Sequence, residues 1–455
     1  MSRPFVSTRR LAVVVALLLF GASSAMAHTG LKRSEPAARS RLAVPPSRIA
    51  LWFTERPQLA FSRIRLFGPA GEIPLEALRS DAANGLHAGI SGTLTPGVYR
   101  VEWRAAASDG HPSEGQFTFE VFDARAAAPP ASATPKPPTA AQLAPPPARV
   151  RHSEFRTARW IEFVALLTVL GVLGFRHGVL PPLAARGVPT ADAADRARRL
   201  GMSVLVLYVA AALVRLYTES VAIHGAENAL VVSEVISMLT ATVWGAGWLL
   251  GAIGAAIAAL GWAASRRSVT IGTPLALTGA VGMAFSPALS GHAGASSHFI
   301  LSVAFDVLHI VAAGVWVGGL LIVLIAGIPA MRRLSEGNSD AAVSALVNSF
   351  HPLALFCAPL VVLAGGGTSW IRLGDLSSVW STEYGRILLL KIALVALVAG
   401  MGMYNSMRAR RRLGAAEGTR HIRTTAAIEV MLAACVLWVT TLLVTLPVPS
   451  EMPTP

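Results

Sequence analysis

The chain has 455 residues, of which 14% are charged and 53% hydrophobic, and its formal net charge is +14. A soluble globular protein is roughly 25% charged, and the arginines here sit in short clusters between long apolar runs, so the pattern is that of membrane topology and not of a nucleic-acid surface. None of the three lysines (Lys32, Lys136, Lys391) follows a glycine or an aspartate, which excludes both a GxxxxGKS/T phosphate loop and the Asp-Lys pair of phosphorylated ion pumps, and hence ATP-driven transport by this chain alone.

Arg3, Arg9 and Arg10 precede the apolar run Leu11–Phe20, and Ala25-Met26-Ala27 follows as an A-x-A cleavage site. Residues 1–27 are therefore expected to be a signal peptide, since the run is too short for ~30 Å of hydrocarbon. Cleavage makes His28 the first residue. Residues 28–122 are expected to form an exported all-β, Ig-like antiparallel sandwich of about seven strands. Alternating runs at Arg48–Phe53, Arg63–Phe67, Val98–Trp103 and Gln116–Phe122 are divided by Gly, Pro, Asn and Asp turns, and no cysteine is present to staple them. Residues 123–157 hold eight prolines among many alanines and read as an extended linker.

From Trp160 onward the chain reads as an all-α membrane domain, 158–447, with a short tail at 448–455. Eight spans are placed near 158–181, 200–218, 237–263, 270–289, 299–327, 350–371, 386–406 and 425–447. Alternate loops carry Arg186, Arg196, Arg198 and Arg199; Arg266 and Arg267; Arg332 and Arg333; and Arg408, Arg410, Arg411, Arg412, Arg420 and Arg423. The opposite loops, near 219–236, 290–298, 373–385 and after 448, carry neither Lys nor Arg. The positive-inside rule then puts both mature termini outside, with the β-domain in the periplasm of a bacterial-type inner membrane. Cys357 and Cys435 fall in spans and read as packing residues.

A chain that begins with His28 offers two nitrogens, the free α-amine and the imidazole, in one chelate. In Ser108-Asp109-Gly110-His111-Pro112, Asp109 and His111 are two residues apart, so extended backbone turns them to the same side. Three nitrogens and one carboxylate oxygen make a tetragonal N/O set that suits Cu(II). A bare D-x-H is otherwise an ordinary surface turn. His87, on the alternating run Gly85–Ile90, reads as a solvated surface histidine.

These residues carry a resemblance. With Glu35-Pro36-Ala37, Leu51-Trp52-Phe53-Thr54-Glu55 and Gly97–Arg104 running into Ser108–Pro112, residues 28–122 resemble the CopC copper-binding domain. The resemblance implies that His28, Asp109 and His111 hold Cu(II), with Glu55 close behind the ligands. Many CopC proteins add a methionine-rich loop for Cu(I), whereas residues 28–150 contain no methionine, so a Cu(II) site alone is expected. Residues 160–447 resemble the CopD family through Ser290-Gly291-His292-Ala293, Leu308-His309 through Leu320, Tyr384–Lys391, Tyr404-Asn405 and Glu429. That resemblance implies copper handling at the inner membrane in the uptake direction; other periplasmic copper carriers are candidate partners, and the soft thioethers of the membrane domain make Cu(I) a candidate form there.

Ionisable groups within spans are expensive and point to function. Asp306 and His309, three residues apart on one helix face, form a candidate copper path with His292 and His298 at its mouth; Asp306 is expected to orient or charge-balance His309. His224, in the second external loop, is left out of that path. The structural alternative has Asp306 and His309 locking helices through Lys391, Glu162 or a backbone carbonyl. Met401, Met403 and Met407 read as packing before Cu(I) ligands, and His351 as a solvated or capping residue. The chain is accordingly expected to be a copper transport or resistance protein and not an enzyme. A copper-dependent oxidative enzyme built on the terminal-His site and a b-type haem electron-transfer protein are the competing readings.

Overall fold

The computed structural model describes residues 31–53, 56–106, 112–123, 149–291, 298–334, 339–409, 416–446 and 448–449. The chain divides into two compact units: one holds residues 154–215 and the helices from 247 onward, the other the β-domain together with Leu216–Ala246.

The β-domain has nine strands among the described residues: β1 Leu31–Glu35, β2 Arg41–Leu42, β3 Arg48–Phe53, β4 Arg63–Gly68, β5 Gly71–Ile73, β6 Arg79–Ser80, β7 Gly85–Gly89, β8 Gly97–Ala106 and β9 Pro112–Val121. They form a sheet of order β1-β3-β7-β6 and another of order β2-β9-β8-β4-β5. The count exceeds seven because β2, β5 and β6 are two or three residues long, too short for alternation to mark them. Ile49, Leu51 and Phe53 of β3 alternate inward to meet Tyr99, Val101 and Trp103 of β8 and Phe117 and Phe119 of β9. Phe53 stands edge-on to Trp103 at 5.2 Å and Tyr99 stacks on Phe119 at 5.4 Å, so aromatic area supplies the core that disulfides supply in many exported domains. His87 is part-buried and not a freely solvated surface residue. Its Nε2 lies 2.6 Å from Asp81 Oδ2 and its ring is edge-on to Trp52 at 5.6 Å. That contact, followed by the Gly85 backbone N–H, holds the Asp81 carboxyl below the usual carboxylate range.

Among the described residues eight helices are long and apolar enough to cross a membrane, matching the expected number. They are α1 Arg156–Ala184, α2 Ala191–His224, α4 Val243–Ala264, α5 Val269–Leu289, α6 Phe299–Met331, α7 Ser339–Leu373, α8 Glu383–Met407 and α9 Arg420–Leu443, and the shorter α3 Val232–Ala241 precedes α4. The third span was expected to run on from 237. Instead Thr242 is extended (φ −119°, ψ 151°), and its hydroxyl accepts the Gly245 N–H at 2.8 Å, ending α3 and starting a new helix. Val206, Leu207 and Leu213 on α2 and Leu355, Phe356 and Leu363 on α7 are exposed, as side chains facing lipid are.

Turns of π-helix interrupt α1 at Phe175–Val179, α6 at Gly314–Gly318 and Val323–Gly327, and α8 at Asn405–Ala409. Where α1 crosses α6, Gly171 and Gly318 face each other so closely that a Cβ on either would overlap the other helix's backbone. Small residues at such crossings let membrane helices pack without a hydrophobic driving force.

A buried ion pair ties α1 to α2. Arg215 Nε lies 3.0 Å from Glu162 Oε2 with both side chains almost fully buried, and Arg215 Nη1 donates to Ser290 Oγ at 2.8 Å. Removing one partner strands the other charge, which costs about 3–5 kcal/mol in a buried pair. Arg215→Met is therefore expected to lower the thermal midpoint of purified protein and the yield of folded material sharply. Glu162→Gln with Arg215→Met should restore much of both. A double variant no better than the single one would show that the pairing does not matter.

In the β-domain's own unit, Arg104 Nη1 of β8 donates to the Ile223 carbonyl at 3.1 Å, and Phe61 lies edge-on to His224 at 6.1 Å.

Candidate functional site

The helical unit holds a partly open cavity of about 160 Å³ whose lining includes Arg159, Asp306, His309, Trp316, Arg372 and Lys391. At about 30 Å³ per liquid water, this is room for an ion with part of its hydration shell. Asp306 and His309 are one turn apart on α6, and both face α7. Arg372 Nη2 donates to Asp306 Oδ2 at 2.6 Å and Thr368 Oγ1 donates to Oδ1 at 3.1 Å. Both carboxylate oxygens are thus engaged from the last turns of α7.

His309 is oriented differently from the expectation. A carbonyl only accepts, so the 2.9 Å contact with the Val361 carbonyl fixes Nδ1 as the N–H donor and leaves Nε2 with its lone pair. Asp306 therefore does not orient this imidazole; the backbone of α7 does. Gly365 makes that approach possible, because a Cβ there would press on the His309 ring at 3.0 Å. Val361 and Gly365 are one turn apart, so the residue that offers the carbonyl and the residue that gives the ring its space form one notch in α7.

Of the partners named by the structural alternative, the backbone carbonyl is found, at Val361, while Lys391 and Glu162 are not paired with Asp306 or His309 among the described residues. Glu162 is held by Arg215, and Asp306 by Arg372. Arg372 escaped the loop count because it lies in the last turn of α7, between the span and the loop assigned to it. The cavity lining has three cationic side chains, Arg159, Arg372 and Lys391, for the one Asp306 carboxylate. His309 is its one histidine among the described lining residues, whereas a bis-histidine haem needs two.

His298 is the N-cap residue of α6 and exposed. Eleven residues of helix, about 16 Å, separate it from His309, so these two do not hold a single ion together. His292, Glu55 and the ligand set His28, Asp109 and His111 lie outside the described residues. Met403 and Met407 are exposed on α8, 60% and 57%, and do not line the cavity. His351 faces Ser406 Oγ at 3.5 Å, and Glu429 accepts from Asn405 Nδ2 at 3.0 Å across the π-turn of α8.

Comparison with known families divides the chain in three. The CopC domain matches residues 31–122, the copper resistance protein D-like N-terminal domain residues 155–299, and copper resistance protein D residues 344–443. Asp306 and His309 fall between the last two stretches. The copper transport protein CutJ of Bacillus subtilis (strain 168) is 23% identical over 460 residues, covering 96% of this chain and 78% of CutJ. Copper resistance protein C of Escherichia coli is 38% identical over 120 residues, 24% of this chain and 94% of that protein. The crystal structure of PcoC, a methionine-rich copper resistance protein from Escherichia coli, aligns at 33% identity over 21% of this chain and 100% of PcoC, with a TM-score of 0.20. With a CopC domain ahead of CopD regions and eight apolar helices in one polypeptide, the chain belongs to the copper resistance and transport family and is a multi-pass membrane protein of it.

Proposed function

We propose that the protein captures Cu(II) outside the membrane with His28, Asp109 and His111, Glu55 supporting them, and delivers copper inward through the His309 cavity. The observation that carries this reading is the tautomer of His309: an imidazole fixed by the Val361 carbonyl, with the other ring nitrogen left as a lone pair, in a cavity wall between helices. A backbone or carboxylate partner on the far nitrogen is how metal-ligating histidines are held. His292 and His298 serve as the entrance. The excess of positive charge in the lining opposes a further cation, so copper enters as positive charge leaves. Arginine keeps its proton, which makes Lys391 the group that yields one.

Cellular copper content with and without the gene, at limiting and at excess copper, tests this reading. Uptake requires lower copper in cells lacking the gene at limiting supply. Higher copper in those cells under excess would make the protein an exporter and overturn the direction proposed.

A further inference from the structure

At the end of α2, His224 is nine-tenths buried, with its side chain only 8% exposed. Its two ring nitrogens have different surroundings. Ser220 Oγ donates its single hydrogen to the Ala229 carbonyl at 2.8 Å, so the same oxygen, 3.2 Å from His224 Nδ1, accepts there. Nδ1 therefore carries the N–H in the neutral ring, and Nε2 carries a lone pair. Nε2 is buried and has no hydrogen-bond partner. Its nearest counterpart is Glu234 Oε2 of α3, at 3.6 Å.

In the neutral ring a lone pair faces a carboxylate across that gap, an arrangement relieved by a proton on Nε2 or by a cation held between the two. The gap is too long for a hydrogen bond. It lies between the about 3.0 Å of adjacent donors and the about 4.2 Å of opposite donors in a tetragonal set with bonds of about 2.0–2.2 Å, so a small movement of the half-exposed Glu234 side chain brings both donors onto one ion. One imidazole nitrogen and one carboxylate oxygen suit Cu(II). Two protein ligands leave coordination positions open, which is what a station that receives an ion and passes it on requires.

The surroundings of His224 connect it to the β-domain. Phe61 covers the ring edge-on, and Arg104 of β8 bonds the carbonyl of the adjacent Ile223. Arg104 is two residues, about 7 Å, from Ala106, and β8 and β9 are joined through residues 107–111, which include Asp109 and His111.

We infer that His224 and Glu234 form a second copper site, a transfer station that accepts Cu(II) from the exported domain. The inference rests on the proposed function for its source of copper, and it reverses the expectation that His224 plays no part.

Cu(II) alone, added to the full chain in lipid nanodiscs, tests it by electron paramagnetic resonance. The first site is disabled by His111→Ala and by one extra residue ahead of His28. The remaining signal should then correspond to one copper coupled to a single imidazole nitrogen. His224→Ala should weaken that binding at least tenfold. Glu234→Gln should do the same while leaving the Ser220 bond and the Phe61 contact in place, and since Glu234 is half exposed the variant keeps its fold. His351→Ala, which alters a histidine beside Ser406 and outside the proposed route, should leave the signal unchanged. No residual copper, or residual copper indifferent to both substitutions, overturns the station. The unaltered chain separates the two readings: a missing terminal-chelate signal there overturns the proposed capture site and leaves the His224 result standing.

Discussion

His309→Ala is expected to abolish copper accumulation per folded molecule, while insertion and Cu(II) binding by the exported domain persist. Among the described residues the ring makes one hydrogen bond, to the Val361 carbonyl, and that carbonyl keeps its place within α7, so loss of the imidazole removes about 0.5–1.5 kcal/mol of net hydrogen bonding and some packing. A change of that size reduces the yield without unfolding eight helices. The loss of transport should be far larger, at or beyond the roughly 10–100-fold that follows from removing even an outer partner of a metal ligand. Copper accumulation normalised to membrane protein level is the measurement. Normal accumulation per molecule with less folded protein would reduce His309 to a helix lock and sink the route through the cavity. His292→Ala, at the mouth, should impair accumulation strongly but less completely.

The second large effect concerns the first residue of the mature chain. One residue placed ahead of His28 turns its α-amine into an amide, which no longer offers a lone pair, and Cu(II) affinity should fall by orders of magnitude. Acid should weaken the native site in the same direction. The amine (reference pKa ~7.7–8.0) and the imidazole (~6.5) must both be deprotonated to bind, so affinity declines as pH falls through that range. Titration of the exported domain with Cu(II), followed by its paramagnetic spectrum, reads both effects. Equal affinity and an identical spectrum in the extended form would exclude the terminal chelate.

The sequence carried the two-part architecture because both halves have strong periodic signals. Alternation in Arg48–Phe53 and Val98–Trp103 marked the long strands, and apolar runs bounded by arginine clusters marked the spans. It missed what depends on contacts between segments far apart in the chain. Nothing in the local pattern of α6 shows that Asp306 meets Arg372, 66 residues on, or that His309 meets the Val361 carbonyl, 52 residues on. A backbone acceptor has no residue signature at all. Thr242 was a legible break, being a threonine three residues before Gly245, yet the apolar residues on either side masked it. His224 was overlooked for a related reason: its value lies in the hydroxyl of Ser220, whose hydrogen is committed elsewhere.

The Glu162–Arg215 pair also bears on how the chain enters the bilayer. The two charges belong to consecutive spans, α1 and α2, separated by the short connection 185–190. A lone charged residue costs an inserting helix up to about 2.5–3.5 kcal/mol on insertion scales, the full amount at its centre and less toward its ends, where Glu162 and Arg215 lie. A hairpin that emerges with its acid and base already facing each other presents the translocation machinery with a nearly neutral unit. The first span is then best released sideways into lipid only after the second has been synthesised, and a stall between them would leave Glu162 waiting for its counter-ion.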